Sequence, residues 1–390
     1  MSPVPDGAFV VEPVHGIPEV RAGDDVAELI TRHAPALRDG DIVVVSSKIV
    51  SKAEGRLVPD ADRAANAAGR LDAVRAETVR VVAERGMTQI VQTRHGFVMA
   101  AAGVDASNVP AGSVLLLPSD PDASARAIRR GLSDRLGLEL GVVVTDTFGR
   151  PWRLGQTDLA IGAAGVQVFD DYRGRTDAHG NELAVTAPAQ ADELAAAAEL
   201  VKGKVAQIPV AVIRGLAHLV TTDDGPGVRA LVRPAEDDMF RLGSREAGRE
   251  ALRSPLPPQE LADSPVDLDA VRRVVSLVTG DLDTSRSAWA IVEVDEAEVR
   301  KPLLDAVGLP SSVPYVALPY LRTQDPVERT AAVLDIGGIR DRLTLAARVD
   351  GLAARWLQAC DVDLAAVLTL LPESDVEPLG LLAIGLPSPG

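Results

Sequence analysis

The chain has 390 residues, with 40 basic and 56 acidic side chains and a net charge of −16. This charge argues against a general binder of nucleic acid or anionic membranes, because phosphate groups would be repelled outside a local basic patch. The single cysteine, Cys360, excludes an internal disulfide and a cysteine-rich zinc site. Neither a signal peptide nor an apolar run of membrane-spanning length is apparent, so we expect a cytoplasmic protein.

Helical and strand patterns alternate along the first part of the chain. Amphipathic or alanine-rich spacing predicts helices over 25–37, 61–85, 123–136 and 192–201. Short apolar runs predict buried strands over 42–45, 141–144 and 210–213. The pattern favours an α/β domain with a mixed sheet over 1–245. A segment rich in proline and charge, 246–265, reads as a linker, and we expect a smaller α+β domain within 246–390.

Polar side chains follow the predicted strands at their carboxyl ends, where α/β sheets usually bind ligands. Ser47 and Lys52 come after the strand over 42–45, and their hydroxyl and ammonium groups suit phosphate oxygens, although a solvated loop is about as probable. Asp105 and Asn108 follow a run of small residues. They suit a hard metal ion, but taken alone an Asp cap or turn is the commoner use.

The strongest motif follows the strand over 141–144. Asp146 and Thr147 offer oxygen ligands of the kind that Mg²⁺ or Mn²⁺ prefers. Arg150 and Arg153 suit carboxylates or phosphates. Further polar groups come at Gln156 and Asp158. Asp223 and Asp224 suit metal binding and a simple turn equally well. The sequence contains no Walker, dinucleotide-binding or zinc-protease motif.

Five segments carry a family resemblance, in this order: GIPEVRAGDD, DIVVVSSKIVSKAEGR, AAGVDASNV, VVVTDTFGRPWRLGQTDLAIGAAG and DELAAAAELVKGK. With these segments the chain resembles the coenzyme F420:L-glutamate ligases over about residues 8–243. It implies that GTP activates a carboxylate of the precursor F420-0 as an acyl phosphate, and that the amine of L-glutamate then forms an amide. It also implies Mg²⁺ or Mn²⁺ and a homodimer, and it leaves open K⁺ as a further cation and the addition of further γ-linked glutamates.

The resemblance carries roles onto matching positions. The residues expected to bind nucleotide are Ile17, Pro18, Glu19, Val20, Ser47, Lys52 and Asn108. The metal ligands are expected to be Asp105, Asp146 and Thr147. By their chemistry we expect catalytic roles for Lys52, Arg150 and Arg153, and substrate contacts for Gln156 and Asp158. No general base is obvious.

The C-terminal part contains, in order, the segments RKPLLD, VPYVALP, GLAARW and EPLGLLAIGLP. With these segments it resembles FMN-dependent nitroreductase domains, as found after the ligase in mycobacterial-type bifunctional enzymes. The domain is short, its phosphate-binding arginine run is reduced to LRSPL at 252–256, and its flavin loop is replaced by DTSRSAW at 283–289. The helix near 332–345 carries Asp335, Gly337 and Gly338 where apolar packing is expected. We therefore expect no bound FMN and a scaffolding role.

The sequence leaves three alternative functions open. An active ligase with a non-catalytic C-terminal domain is favoured. A bifunctional ligase and FMN-dependent reductase would carry a flavin absorbance band. A non-catalytic carrier of F420-type metabolites would bind the precursor without consuming GTP, but a carrier has no need of a metal–phosphate centre.

Overall fold

The structure is a computed structural model that describes residues 7–59, 68–253, 260–280, 287–362, 367–373 and 375–388. The chain divides into two compact units, Met1–Glu246 and Ala247–Gly390. In the described ranges, no helix combines the length and the apolar character needed to cross a membrane.

The N-terminal unit mixes helices and strands, as predicted. Its elements are β1 (Val10–Pro13), α1 (Val26–His33), β2 (Ile42–Ser46), α2 (Ser47–Ala53), β3 (Leu57–Pro59), α3 (Ala68–Glu77), β4 (Thr78–Arg85), β5 (Thr88–Thr93), β6 (Val98–Ala100), β7 (Ser113–Leu115), α4 (Pro121–Leu136), β8 (Gly141–Arg150), β9 (Arg153–Ala164), α5 (Gln190–Lys202) and β10 (Val210–Arg214).

The central sheet is mixed and has the strand order β1-β10-β2-β8-β9. Strands β2 and β8 are parallel and in register from Ile42 beside Gly141 to Ser46 beside Thr145, whereas the other pairs are antiparallel. Their apolar stretches are fully buried, which is the usual state of strands covered by helices on both faces. Helix α5 packs on one face, and α4 packs on the other with α1 beside it.

Two smaller sheets lie in the chain between β2 and β8. They have the orders β4-β5-β6 and β3-β7. The predicted helix over 61–85 is therefore wrong in its second half, since α3 ends at Glu77 and the chain continues as strand β4. Its first part, 61–67, lies outside the described residues. The β-branched run TVRVV favours a strand over a helix, and pairing with β5 satisfies its backbone.

Strand β8 is longer than predicted and forms a hairpin with β9. It does not end near Asp146 but runs to Arg150, and the chain turns at Pro151 and Trp152. Trp152 has a φ of 60° and is exposed, as expected for the third position of a tight turn that follows proline. The candidate residues between Asp146 and Asp158 therefore belong to an extended ribbon and not to a loop.

The C-terminal unit is an α+β structure, as predicted. Its elements are α7 (Leu268–Thr279), β11 (Trp289–Glu293), α8 (Ala297–Ala306), β12 (Tyr315–Leu321), α9 (Pro326–Val349), β13 (Ala353–Gln358), β14 (Glu377–Pro378) and β15 (Gly380–Gly385). The strands form an antiparallel sheet of order β11-β12-β15-β13, with β14 paired to β12. Its apolar side chains form two cores, one with α7 and α9 and the other with α8.

Two expectations about this part of the chain are corrected. Helix α6 (Ser244–Arg253) occupies the start of the predicted linker. Helix α9 is a packing helix, because Asp335 and Gly338 lie on its exposed side while residues such as Ile336 and Ile339 face the core. Residues 254–256 and 283–286, parts of the two departures from the flavin pattern, lie outside the described residues.

Candidate active site

The pairing of β2 with β8 stops at Ser46 and Thr145, where β2 ends and β8 continues, and this brings together residues that are far apart in the sequence. Ser47 begins α2 directly after β2, and Asp146 lies on β8 one residue beyond the Ser46–Thr145 pair. The hydroxyl Oγ of Ser47 donates a hydrogen bond of 2.9 Å to Oδ1 of Asp146. The predicted nucleotide residue and the predicted metal ligand are thus direct neighbours.

Asp105 belongs to the same cluster through a lysine. Lys48 forms an ion pair with Oδ2 of Asp105, and Ser107 donates its backbone N–H to Oδ1 at 2.7 Å. The backbone of Asp105 is itself paired with Leu115 through N···O distances of 2.9 and 2.8 Å. The carboxylate is therefore fixed by an ion pair, a turn and a backbone bridge.

The charges of these groups depend on one another. Burial, together with the negative charges of Asp158 and Asp105, raises the pKa of Asp146 to about 6, although Lys48 and the hydrogen bond from Ser47 oppose this rise. Burial also disfavours the charged form of Asp105, but Lys48 and Ser107 outweigh it and lower the pKa of that carboxyl group. The cluster has more negative than positive charge, so its electrostatics favour a bound cation.

This donor set fits a magnesium-like ion that also binds a substrate phosphate. In the part of the chain that the structure describes, no three His, Cys, Asp or Glu side chains converge as a complete metal site. Mg²⁺ is commonly held by only one or two carboxylates, with waters and substrate phosphates as the other ligands. Asp105 and Asp146 match that pattern and are the residues that would hold it.

A second polar cluster lies on the opposite face of β8. Thr145 and Thr147 donate hydrogen bonds of 2.9 Å to the two carboxylate oxygens of Asp158. Lys202, from the last turn of α5, donates to Asp158 and to Thr145 at 2.8 Å. Side chains alternate along a strand, so Thr147 points away from the face that carries Asp146. Its role as a metal ligand beside Asp146 stays a prediction.

Asp158 is an internal member of this second cluster. It is buried with Lys202, which is 2% exposed. Burial works against its ionisation, but the charge and hydrogen bond of Lys202 and the two threonine hydroxyls outweigh burial and lower the pKa of Asp158. The predicted contact of Asp158 with substrate stays a prediction, since all of these partners are protein groups.

The N-terminal stretch predicted to bind nucleotide lies beside helix α2. Glu19 pairs with Lys52 at 2.5 Å, and the N–H of Gly23 donates to the carbonyl of Ala53. In this stretch Val20 is buried, Ile17 is partly buried, and Pro18 and Glu19 are exposed. Asn108 is exposed three residues after Asp105 and has a φ of 55°, which asparagine tolerates better than most residues.

The structure does not bring the arginines of the motif to this cluster. Arg150, Arg153 and Gln156 lie near the tip of the β8–β9 hairpin. Arg150 is four residues beyond Asp146, which is about 14 Å along an extended strand, and its guanidinium donates to the carbonyl of Leu154 at 2.9 Å. The predicted catalytic roles of the arginines, and the substrate role of Gln156, stay predictions.

Sequence reasoning missed two lysines of the site. Lys48 follows Ser47 directly, but it received no predicted role because the family resemblance assigned the phosphate contact to Lys52. Lys202 ends a helix, where a cation is ordinary because it interacts favourably with the helix dipole, so its burial gave no sequence signal. The pair Asp223 and Asp224 forms a turn, in which Gly225 donates to Asp223 and Asp224 pairs with Arg129 at 2.9 Å.

Solved structures similar to part of this chain are flavin reductases and nitroreductase-like proteins. The NADPH:FMN oxidoreductase of Vibrio harveyi is 15% identical with a TM-score of 0.31, over 36% of this chain and 69% of that protein. A nitroreductase-like protein of Streptococcus mutans is 14% identical with a TM-score of 0.29, over 38% of this chain and 92% of that protein. No activity follows from similarity at this level.

Proteins similar in sequence match the N-terminal part of the chain much more strongly. The family model described as F420-0:Gamma-glutamyl ligase matches residues 16–215. The coenzyme F420:L-glutamate ligase of Methanopyrus kandleri is 42% identical over 245 residues, 59% of this chain and 97% of that protein. The enzyme of the same name from Haloarcula marismortui is 42% identical over 252 residues, 60% of this chain and 96% of that protein. The chain therefore belongs to the F420-0:gamma-glutamyl ligase family.

Proposed function

We propose that this protein joins L-glutamate to the precursor F420-0 in the biosynthesis of coenzyme F420, using GTP. The names of its relatives support the substrate pair. The observation that carries the proposal is the convergence of Ser47, Lys48, Asp105 and Asp146 where the pairing of β2 with β8 stops. Hydroxyl, ammonium and carboxylate groups held together in this way suit a phosphate-bearing substrate and its counter-ion.

The proposed reaction has two steps. A carboxylate oxygen of F420-0 attacks the γ-phosphorus of GTP, which gives an acyl phosphate and releases GDP. The amine nitrogen of glutamate then attacks the acyl carbon, so the amide bond forms, phosphate leaves and the amine gives up a proton. Repetition on the new side-chain carboxylate would add γ-linked glutamates.

The residues of the cluster have separate tasks in this reaction. Lys48 and Lys52 would donate to phosphate oxygens, where charge-assisted hydrogen bonds are strong, and Ser47 would orient Asp146 through the hydrogen bond of its hydroxyl group. A Mg²⁺ or Mn²⁺ ion held by Asp105 and Asp146 would supply positive charge against the phosphates when bound. The side chains of the opposite face, centred on Asp158 and Lys202, would fix the shape of β8 and β9 beneath the site.

For the C-terminal unit we propose a role without flavin, in keeping with the departures from the flavin-binding pattern, and a homodimer as the working assembly. Purified protein is expected to show no flavin absorbance band after incubation with FMN and desalting. A stoichiometric band that persists would instead favour the bifunctional ligase and reductase.

The experiment that tests the proposed function is a mass-spectrometric assay with F420-0, L-glutamate and a nucleotide. We expect a gain of glutamate units with release of GDP, abolished by a chelator and restored by Mg²⁺ or Mn²⁺. Replacing GTP with ATP measures the nucleotide preference. Bound but unchanged F420-0, with no GTP consumed, would support the carrier function and contradict the ligase.

A further inference from the structure

A recess with a basic wall lies on the N-terminal unit beside the cluster described above. Two adjoining cavities, of about 210 and about 330 Å³, share Arg94, His95 and Arg229 in their walls. The larger cavity also includes Arg233, and the smaller one reaches Ile161 on β9. The proposed reaction assigns no binding or catalytic role to any of these residues.

Arg229, on the short helix Val228–Leu231, lies in a backbone segment that hydrogen bonds to Asp122 hold in place. Oδ1 of Asp122 accepts hydrogen bonds from the N–H of Val228 at 2.8 Å and of Ala163 at 2.9 Å. Gly227 has a φ of 72°, and a Cβ there would lie 2.5 Å from the Asp122 carboxyl carbon. The short helix that carries Arg229 is thereby fixed against the start of α4 and the edge of β9.

Two of the three arginines in the recess have no carboxylate partner in the described part of the protein. Among the described residues, Arg229 and Arg233 form no side-chain ion pair, whereas Arg94 is shared with Glu77 at 3.2 Å. Two acidic residues line only the smaller cavity, where their carboxylates accept from backbone N–H groups. The wall of the larger cavity, where described residues form it, includes all three arginines and no acidic side chain, so it favours an anion.

His95 lies in the wall of both cavities. It is buried, and neither ring nitrogen makes a hydrogen bond of normal geometry within the described ranges, although the backbone of Pro118 and Ser119 lies near the ring. Burial and the nearby charge of Arg94 lower the pKa of His95, which favours the neutral ring. Both ring nitrogens are closed off from solvent, so His95 contributes its ring to the wall of the recess and no polar contact to a ligand.

A row of aromatic rings connects the recess to the cluster that contains Ser47 and Asp146. His95 stacks on Phe97 with ring centroids 5.8 Å apart, and Phe97 meets the edge of Phe148 at 6.3 Å. Phe148 is two residues beyond Asp146 on β8, so both side chains lie on the same face. A ligand in the recess therefore lies on the face of the sheet where the reacting groups are placed.

We propose that this recess binds the carboxylates of the amino-acid substrate, a small dicarboxylate of the glutamate type. The inference rests on the proposed function and extends it to the substrate that is not phosphorylated. The larger cavity, of about 330 Å³, is at the lower end of the usual ~300–1,000 Å³ of ligand sites, so it suits an amino acid better than a nucleotide or a large precursor. Arg229 and Arg233, both in its wall, supply guanidinium forks for carboxylates.

The test compares Arg229→Gln and Arg233→Gln with the matched control Arg130→Gln. Arg130 is an exposed arginine on α4, nine residues beyond the first residue of that helix, which is about 13 Å along its axis. In the ligation assay we expect the KM for glutamate to rise about tenfold or more in both recess variants, because a charged hydrogen bond is lost. The KM for GTP should stay within about twofold of wild type, and the control should match wild type in both constants. An unchanged KM for glutamate in both recess variants would overturn the proposal.

Calorimetry with the full-length protein separates this proposal from the proposed function. The probes are glutarate, a dicarboxylate without an amine, and inorganic phosphate. Glutarate binding that is lost in Arg229→Gln and kept in Arg130→Gln supports the dicarboxylate site, even if the wild type adds no glutamate to F420-0. Phosphate binding lost in the same variant without any glutarate binding would overturn it, as would equal glutarate binding in all variants.

Discussion

Ser47 and Asp146, 99 residues apart in sequence, are joined by a 2.9 Å hydrogen bond just beyond the last pair of the parallel strands β2 and β8. The parallel register of β2 and β8 makes this contact, because it places Ser46 beside Thr145 and so carries the next residues to one edge of the sheet. The contact also places the start of α2, with Lys48 and Lys52, next to the carboxylates that would hold a cation.

The first prediction concerns Asp146→Asn, which keeps the shape of the side chain and removes its charge. We expect ligase activity to fall about 100-fold or more, because this carboxylate is one of only two in the cluster available to a cation. Ser47→Ala should cost less, about tenfold, since it removes an orienting hydrogen bond and leaves the charge. The measurement is kcat/KM at saturating Mg²⁺ or Mn²⁺, with thermal unfolding as the control for folding. Activity of Asp146→Asn near that of wild type would show that this strand end does not bind the cation.

The buried pair on the opposite face predicts an effect on stability. Lys202→Met should lower the free energy of unfolding by about 3–5 kcal/mol, because it leaves the buried Asp158 without its cation. Lys204→Met, an exposed lysine two residues further on, serves as the matched control and should change it by less than about 0.5 kcal/mol. Chemical denaturation measures both. Similar small effects in the two variants would mean that Lys202 is not buried against Asp158.

A glycine on β9 gives a test of the packing of the sheet against α4. A Cβ on Gly162 would lie 2.2 Å from the carbonyl oxygen of Pro121, so Gly162→Ala must push back the start of α4. We expect a loss of about 1–3 kcal/mol in stability. Gly149→Ala on β8, where no atom lies within 4 Å of the added carbon, should be close to neutral. Equal stabilities of the two variants would contradict this packing.

The buried histidine predicts a pH dependence of stability. The pKa of His95 is lowered in the folded state from its ordinary value of 6.5, so protons bind the unfolded chain more tightly. Its contribution to stability is therefore full above pH 6.5 and is lost as the pH falls through the lowered folded pKa. Between about pH 7.5 and about pH 5.5, the unfolding free energy of the wild type should fall more than that of His95→Gln. Parallel curves would contradict the burial of a neutral ring.

The sequence was sufficient for the buried strands, most helices and the sheet edge that carries the polar residues. The apolar runs at 42–45 and 141–144 are strands, and Ser47, Asp105 and Asp146 converge as their placement after small or apolar runs suggested. Periodicity failed where β-branched residues followed a helical pattern, at Thr78–Arg85. It also failed to show that β8 continues past Asp146, and this continuation is what directs Thr147 to the other face.

Other parts of the site depend on contacts that no local pattern encodes. The basic recess places a turn at 94–95 beside a short helix more than a hundred residues later, Val228–Leu231, which the carboxylate of Asp122 holds in position. Lys202 is buried because α5 crosses the face of the sheet that carries Asp158. Both features follow from tertiary packing, so a single sequence gives no signal for them. The bound cation, K⁺, homodimer formation and the cytoplasmic location stay predictions.

The most direct test of the account follows oxygen atoms through the reaction. F420-0 labelled with ¹⁸O in its carboxylate is incubated with the full-length protein, L-glutamate, GTP and Mg²⁺, and the released phosphate is analysed by mass spectrometry. An acyl phosphate requires one labelled oxygen to move from the carboxylate to phosphate for each first glutamate added, whereas any further γ-linked glutamates react through unlabelled carboxylates and release unlabelled phosphate. Amide formation with only unlabelled phosphate would contradict the intermediate, and the absence of any glutamate addition would contradict the ligase itself.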